Sequence, residues 1–222
     1  SDWGAIAADL AGAAPHAPAA RAGLECAVVD AHTRARGIPL HALWGECGGR
    51  HHWCVRETDV TLPMLDDARV QALAEGWHAR GFRTLKLKVG RTDVEKDLAR
   101  IEVLARRFDD VTFILDANQG YDRAAAGYFV ARVGDAWPGR VLLVEQPLVR
   151  DDLDGAAELC ATSVVPIAAD ESVFTPADAE RVVAAKAAHV VNLKIMKSGL
   201  AQTIEIARTV RSAGLGLMIG GM

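Results

Sequence analysis

Apolar positions follow two patterns that alternate along most of the chain. Short runs rich in Val, Ile and Leu, with little internal alternation, indicate strands buried on both faces. The predicted strands are 54–62, 82–89, 111–116, 141–145, 164–169, 189–195 and 215–220. Between them, apolar residues recur at helical spacing, most clearly in 66–80, 92–107, 122–134 and 199–213. Alternating strands and helices predict an α/β fold with a parallel sheet.

Helix boundaries can be predicted at two places. Residues 1–50 are rich in alanine, and a helix is expected from Ala19 to Arg36, where Gly37 would end it. The helix over 92–107 is expected to begin at Thr92, because Glu95 follows at the spacing of a capping box.

Charged residues end five successive predicted strands. They are Lys86 with Lys88, Asp116, Glu145, Asp170 and Lys194. From Lys88 onward, the intervals between these charges are 28, 29, 25 and 24 residues, about the length of one strand, loop and helix. Because the carboxyl ends of consecutive parallel strands meet at the mouth of a barrel, these side chains should converge there.

Seven strands fit either an open doubly wound sheet or a barrel that lacks one strand. An open sheet usually gathers its site at one switch point, whereas here five strands end in charges. The chain also has no G-x-G-x-x-G or Walker sequence for a nucleotide phosphate. We therefore predict an incomplete (β/α)8 TIM-type barrel of about seven strands, with the last strand outside this chain.

Three of the strand-end residues are carboxylates, namely Asp116, Glu145 and Asp170. No Cys or His stands at matching positions, and oxygen ligands of this kind suit Mg²⁺ better than Zn²⁺. The alternative is that each acid caps the helix that follows its strand. Three acids on adjacent strands, flanked by lysines, favour the metal site.

The lysines predict acid–base chemistry. Lys86 and Lys88 are two residues apart on one strand, so both side chains should point inward while their apolar neighbours face the helices. Lys194 would lie almost opposite them around an eight-stranded ring, and Lys197 is expected in a loop with a lesser role. Two bases on opposite sides of a metal-bound substrate suit a racemase or epimerase that acts next to a carboxylate, with the metal stabilising the enediolate.

These motifs resemble the enolase superfamily, in particular its muconate-lactonizing subgroup. The closest resemblance within it is to dipeptide epimerases of the L-Ala-D/L-Glu type. The resemblance covers nearly all of residues 50–222 and is carried by Lys86-x-Lys88, Asp116-Ala-Asn118, Glu145-Gln-Pro147, Asp170-Glu-Ser172 and Asn192-Leu-Lys194.

The resemblance implies an isomerase with one Mg²⁺ ion per active site. By this resemblance, Asp116, Glu145 and Asp170 bind the metal. Lys88 and Lys194 would be the catalytic pair that removes and returns the proton α to a carboxylate. The substrate would be a dipeptide or a related small carboxylate.

The resemblance also implies supporting roles for five further residues. Lys86 would neutralise the substrate carboxylate, and Thr61 and Gly221 match substrate-contacting positions. The family usually has Gly-Ser-Met where this chain has Gly, Gly221 and Met, so the resemblance does not extend to a side-chain contact there. Asn118 and Glu171 are expected beside the metal ligands.

Domain organisation follows from the same resemblance. Residues 1–50 would be a helical segment that links an N-terminal α+β capping domain to the barrel, and residues 51–222 would be a partial barrel domain. The capping domain is not found in this chain, nor is the eighth strand, which in dipeptide epimerases carries an Asp-x-Asp. Other reactions of the subgroup share all five motifs: muconate cycloisomerisation, o-succinylbenzoate synthesis and N-acylamino-acid racemisation. A non-catalytic barrel is a further alternative.

Composition and charge limit the classes of partner that the protein is expected to bind. The net charge is −4, with both signs mixed along the chain and no basic block, so we expect neither a nucleic acid nor a membrane partner. The four cysteines show no paired spacing, which favours the reducing cytoplasm. Barrels of this type commonly associate through their helices, so we expect a homo-oligomer.

Overall fold

The structure, a computed structural model, describes residues 3–43 and 57–221 of the 222-residue chain. Within these ranges seven parallel strands form one sheet in the order β1 to β7, each paired with its neighbour in sequence. The strands are β1 Val60–Leu62, β2 Thr84–Lys88, β3 Thr112–Asp116, β4 Val141–Glu145, β5 Ile167–Ala169, β6 Val190–Leu193 and β7 Gly216–Ile219.

Helices precede the sheet and connect its strands. They are α1 Trp3–Ala13, α2 Pro18–Ala35, α3 Asp67–Ala79, α4 Val94–Arg107, α5 Arg123–Ala136, α6 Leu153–Thr162, α7 Pro176–Ala185, α8 Ile195–Ser198 and α9 Leu200–Ser212. A short 3₁₀ turn covers Leu40–Ala42. The prediction of a seven-stranded, incomplete (β/α)8 barrel is confirmed. Among the described residues, no helix has the length and apolar character needed to cross a membrane.

One predicted helix start is wrong. Helix α4 begins at Val94, and its cap is Asp93, whose carboxylate accepts the Lys96 N–H at 2.9 Å. An aspartate is as good a cap as a threonine, so the capping-box spacing from Thr92 was not decisive. The Thr92 hydroxyl instead donates to the Asp97 carboxylate at 2.9 Å.

Every strand except β4 is shorter than predicted, and β1 and β5 are the clearest cases. In β1 only Val60 to Leu62 pair with β2, and the predicted part at 54–56 lies outside the described residues. In β5 the strand begins at Ile167, because Pro166 has no N–H to donate to a neighbouring strand. Val164, predicted inside this strand, is 82% exposed.

Apolar side chains pack on both faces of the sheet. The outward-facing residues, such as Leu85, Leu87 and Leu115, pack against the helices in the main core. A smaller cluster fills the inner face, composed of Ile114, Leu143 and Ala168 with Val190 and Met218. Because side chains alternate along a strand, the residue two positions after each member of this inner cluster also points inward, one layer nearer the mouth.

A buried aspartate joins the loops that follow β2 and β3. The Asp97 carboxylate is fully buried and accepts from the Gly90 N–H at 2.8 Å and the Tyr121 hydroxyl at 2.7 Å. Burial and the neighbouring Asp97 charge raise the pKa of Tyr121, so its hydroxyl remains a donor. The same loops approach so closely that a Cβ at Gly120 would overlap the Gly90 carbonyl. The network therefore fixes both loops at the carboxyl end of the sheet.

The Tyr121 hydroxyl should contribute measurably to stability. We expect Tyr121→Phe to lower the free energy of unfolding by about 2 kcal/mol, because the buried Asp97 carboxylate loses a charge-assisted hydrogen bond. Urea denaturation measures this change. Tyr128→Phe is the matched control, since the Tyr128 side chain is 45% exposed and its hydroxyl donates to Glu95 at the surface; its effect should stay within about 0.5 kcal/mol. Equal losses of stability in the two variants would contradict a stabilising role for the hydrogen bond from Tyr121 to Asp97.

Candidate active site

The charged residues converge above the inner apolar cluster, as the period of two predicts. Asp116 lies two residues after Ile114, and Glu145 two residues after Leu143. Both carboxylates are fully buried, and the two residues are register partners at the carboxyl ends of β3 and β4. Asp170 follows β5 by one residue and is also buried. The three predicted metal ligands therefore lie on adjacent strands at one end of the sheet.

Lys86 bridges the first two carboxylates. Its ammonium lies 2.8 Å from Asp116 Oδ2 and 2.7 Å from Glu145 Oε2. Burial lowers the pKa of Lys86, but the charges of Glu145 and Asp116 outweigh burial and raise it above its ordinary value. Burial and the nearby Asp116 also raise the pKa of Glu145, even though Lys86 opposes them. In this arrangement Lys86 is thus held as a cation between the two carboxylates.

Lys88 lies nearer the mouth and is less buried. Its ammonium donates to Asp116 Oδ2 and to Asn118 Oδ1, both at 2.7 Å. Asn118 adopts a left-handed backbone conformation with φ 43°, and its amide nitrogen donates to Glu171 Oε1 at 3.0 Å. Asn118 and Glu171, predicted beside the metal ligands, therefore connect Lys88 to the loop that carries Asp170.

Lys194 and Lys197 both contact Asp170. Lys194 Nζ lies 2.6 Å from Asp170 Oδ2, and Lys197 Nζ lies 2.8 Å from Oδ1. Burial alone would raise the pKa of Asp170, but these two lysines lower it, so the carboxylate stays charged. The prediction that Lys197 lies in a loop is wrong: it is buried in helix α8 and also donates to the carbonyls of Asp170 and Asn192. Its place three residues after Lys194, within one helical turn, is the signal that could have found it.

The carboxylates of the site are not helix caps. Helices α5, α6 and α7 are capped by Asp122, Asp152 and Thr175, whose side chains accept from the first turn. None of these is one of the three strand-end acids. The alternative interpretation from the sequence, in which each acid serves only to cap a helix, is therefore wrong.

Two predicted substrate contacts lie at the edges of the described sheet. Thr61 is exposed on β1 and pairs in register with Lys86 on β2. Gly221 is exposed just after β7, and it is Gly220 that closely approaches Asn192 and Lys194. Their roles as substrate contacts stay predictions.

Two amide side chains were given no role from the sequence. Asn192 is fully buried and donates to Glu145 Oε1 at 2.9 Å. Gln146, with φ 39°, accepts from the main-chain N–H groups of Asp170 and Ser172. Both occur inside the quoted motifs, beside Glu145 and Lys194, and this position in the motif is the signal that pointed to them.

The donor chemistry fits a hard cation such as Mg²⁺. Asp116, Glu145 and Asp170 supply only oxygen ligands, and burial together with the Asp116 charge raises the pKa of Glu145 although Lys86 lowers it. Asn192 Oδ1 is a further buried oxygen and has no hydrogen-bond donor among the described residues. In the arrangement described for 3–43 and 57–221, no three acidic, His or Cys side chains converge closely enough to hold an ion. Lysine ammonium groups lie against the carboxylates, so binding a metal would require them to move aside.

Lys197 should be essential to stability. We expect Lys197→Met to lower the free energy of unfolding by about 3 kcal/mol, because Asp170 loses a buried cation and two buried carbonyls lose their donor. Urea denaturation at neutral pH measures the loss. Lys96→Met is the matched control, since Lys96 and Asp93 form an exposed ion pair worth at most about 1 kcal/mol. A loss for Lys197→Met no larger than the control's would refute the structural role.

Comparisons with known proteins agree with this architecture. The chain is 38% identical over 221 residues to an aromatic dipeptide epimerase of Herpetosiphon aurantiacus, covering 99% of this chain and 60% of that protein. It is 38% identical over 206 residues to a hydrophobic dipeptide epimerase of Citrifermentans bemidjiense, covering 90% of this chain and 55% of the relative. The chain thus spans less than two thirds of the length of these relatives.

Solved structures are similar over most or all of the chain. The structure of a mandelate racemase/muconate lactonizing protein from Herpetosiphon aurantiacus matches with a TM-score of 0.90 and 38% identity, covering 100% of this chain and 60% of that one. A muconate cycloisomerase variant matches with a TM-score of 0.86 and 32% identity, covering 100% and 60%. A dipeptide epimerase from Cytophaga hutchinsonii, complexed with Mg and D-Ala-L-Val, matches with a TM-score of 0.81 and 28% identity, covering 89% and 52%.

The family model described as "Enolase C-terminal domain-like" matches residues 69–222. This range contains strands β2 to β7 and every lysine and carboxylate described for the site. Together with the relatives and the structural neighbours, the match shows that the chain belongs to the enolase superfamily, in its mandelate racemase/muconate lactonizing family.

Proposed function

We propose that the complete protein is a Mg²⁺-dependent dipeptide epimerase. The observation that carries this proposal is the pair Lys88 and Lys194, which extend from strands four positions apart in the sheet and contact Asp116 and Asp170 respectively. Curated relatives with 33–38% identity are named dipeptide epimerases. Because this chain spans only part of their length, the activity is proposed for the complete protein.

Asp116, Glu145 and Asp170 would hold one Mg²⁺ ion. When bound, the ion supplies Lewis-acid stabilisation of a substrate carboxylate as negative charge builds up on it. Lys86 is placed to bind the same carboxylate, since it is buried at the floor of the site beside Asp116 and Glu145. Thr61 and Gly221 would contact the substrate at the two edges of the site.

Lys88 and Lys194 would exchange the proton at the α-carbon. One lysine, in its neutral form, removes the α-proton from one face of the substrate, and the other, as an ammonium, donates a proton to the opposite face. Their roles reverse when the other epimer reacts. Lys86 would not take part in the transfer, because it precedes Lys88 on β2 and is buried at the floor of the site between Asp116 and Glu145.

Proton NMR in D₂O provides the test. The complete protein is incubated with Mg²⁺ and a panel of L,L-dipeptides, and we expect one α-proton signal to disappear as the epimer appears. Lys88→Ala and Lys194→Ala should each abolish epimerisation, since loss of a general base costs about 10²- to 10⁴-fold in rate. Arg106→Ala serves as a control, because Arg106 forms only an exposed ion pair on helix α4. No exchange with any dipeptide, while Mg²⁺ still binds, would direct the search to N-acylamino acids and cycloisomerase substrates.

Metal dependence can be tested separately. Chelation should abolish the α-proton exchange, and Mg²⁺ should restore it, because without the ion the proton α to the substrate carboxylate is not acidified. Asp116→Asn should weaken Mg²⁺ binding measured by calorimetry, since a charged ligand is replaced by a neutral one. Full activity in the presence of a chelator would contradict the metal-dependent mechanism.

A further inference from the structure

A buried glutamate far from the site in sequence holds the segment that carries Lys194. Glu25 lies on the buried face of helix α2 with Ala22 and Val29 and is only 3% exposed. Its two carboxylate oxygens accept from the main-chain N–H groups of Leu200 and Ala201, at 2.9 and 2.7 Å. These N–H groups belong to the first turn of helix α9, where unpaired donors and the helix dipole favour a negative charge.

The junction before α9 is shaped around this carboxylate. Gly199 has φ 77°, and a Cβ at this position would overlap Glu25 Oε2. A side chain is therefore excluded both by the backbone conformation and by the contact with Glu25. Glu25 is 175 positions from Leu200 and 176 positions from Ala201 in the sequence, so the interaction joins distant parts of the chain.

Lys194 depends on this junction more than Lys88 depends on its own loop. Lys88 is the last residue of β2 and pairs in register with Asp116. Lys194 lies one residue beyond β6 and directly precedes the short helix α8. In α8 only Lys197 is buried, while Ile195 and Met196 are exposed.

Helix α2 packs against α8, and polar contacts hold the segment from Lys194 to Leu200 at several points. Lys197 anchors its middle to Asp170, and the Ser198 hydroxyl donates to the Phe174 carbonyl at 2.7 Å. Glu25 anchors its far end. Loss of this last anchor should allow α8 to shift, and Lys194 would move with it because the Lys197 N–H bonds to the Lys194 carbonyl.

We propose that Glu25 is a positioning residue for Lys194, which it holds in place through the α8–α9 junction. The inference rests on the proposed function, in which Lys194 faces one side of the substrate and Lys88 the other. A shift of the junction should therefore impair proton removal by Lys194 and leave proton removal by Lys88 unchanged. A residue that served stability alone would affect both faces equally.

The test compares α-proton loss from each epimer separately. Epimerisation rates in the two directions are linked by the equilibrium constant, whereas loss of the α-proton to D₂O reports on the base that faces that epimer. Lys88→Ala and Lys194→Ala identify which epimer each lysine deprotonates. In the complete protein with Mg²⁺, we expect Glu25→Ala to slow exchange from the epimer of Lys194 about tenfold, a loss typical of a small misplacement. Exchange from the epimer of Lys88 should stay within about twofold.

Two further variants separate positioning from stability. Glu25→Gln retains one acceptor oxygen and should slow α-proton exchange from the epimer of Lys194 by a smaller factor. This variant keeps the test valid if Glu25→Ala does not fold. Arg140→Ala removes a comparable clamp on main-chain carbonyls, those of Ala105 and Val111, just before β4 at the opposite end of the sheet. At a matched loss of thermal stability, Arg140→Ala should slow α-proton exchange from both epimers equally. Equal slowing of both epimers by the Glu25 variants would overturn the proposal.

Amide hydrogen exchange gives a readout that does not require activity. Glu25→Gln should increase exchange in a peptide covering 194–201, and Arg140→Ala should not. If the wild-type protein exchanges no α-proton from any dipeptide, the epimerase proposal fails, and this measurement alone decides whether Glu25 holds the segment. Unchanged protection of 194–201 in Glu25→Gln would overturn the positioning role whatever the activity.

Discussion

Three carboxylates can be buried side by side at the mouth of this sheet because lysine ammonium groups lie between them. Isolated burial of Asp116, Glu145 and Asp170 would cost far more free energy than a domain of this size has to spare. Lys86 with Lys88 offsets the first two charges, and Lys197 with Lys194 offsets the third. Removing one of these cations weakens the compensation of a buried charge, so the site and the stability of the fold depend on the same ion pairs.

Much of this arrangement could be predicted from two periodicities. The period of two along a strand placed Lys86 and Lys88 on the inner face while Leu85 and Leu87 packed outward. The regular interval between strand-end charges placed them on successive strands, and parallel strands brought them to one end. Both arguments use only local geometry and chain order, which the sequence contains explicitly.

The rest depended on local patterns that were too short or ambiguous to decide, or on contacts between residues distant in the sequence. Lys197 was expected in a loop because a four-residue helix has too few positions to show a period. The cap at Asp93 could not be distinguished from Thr92, since both residue types cap well. Glu25 resembles any other polar residue on an alanine-rich helix until the structure places it against the first turn of α9.

The charge balance of the site also constrains what can bind there. Four carboxylates and four lysines offset one another, namely Asp116, Glu145, Asp170 and Glu171 with Lys86, Lys88, Lys194 and Lys197. The lysine that acts as the base must be neutral, so with a divalent cation bound the same set would carry an excess of about one positive charge, little screened at a buried site. A carboxylate substrate would neutralise this excess. Transfer of its α-proton to the neutral lysine leaves the net charge unchanged, but it places a second negative charge on the substrate and a positive charge on the lysine, and their attraction at a buried site favours the deprotonated species over the bound substrate.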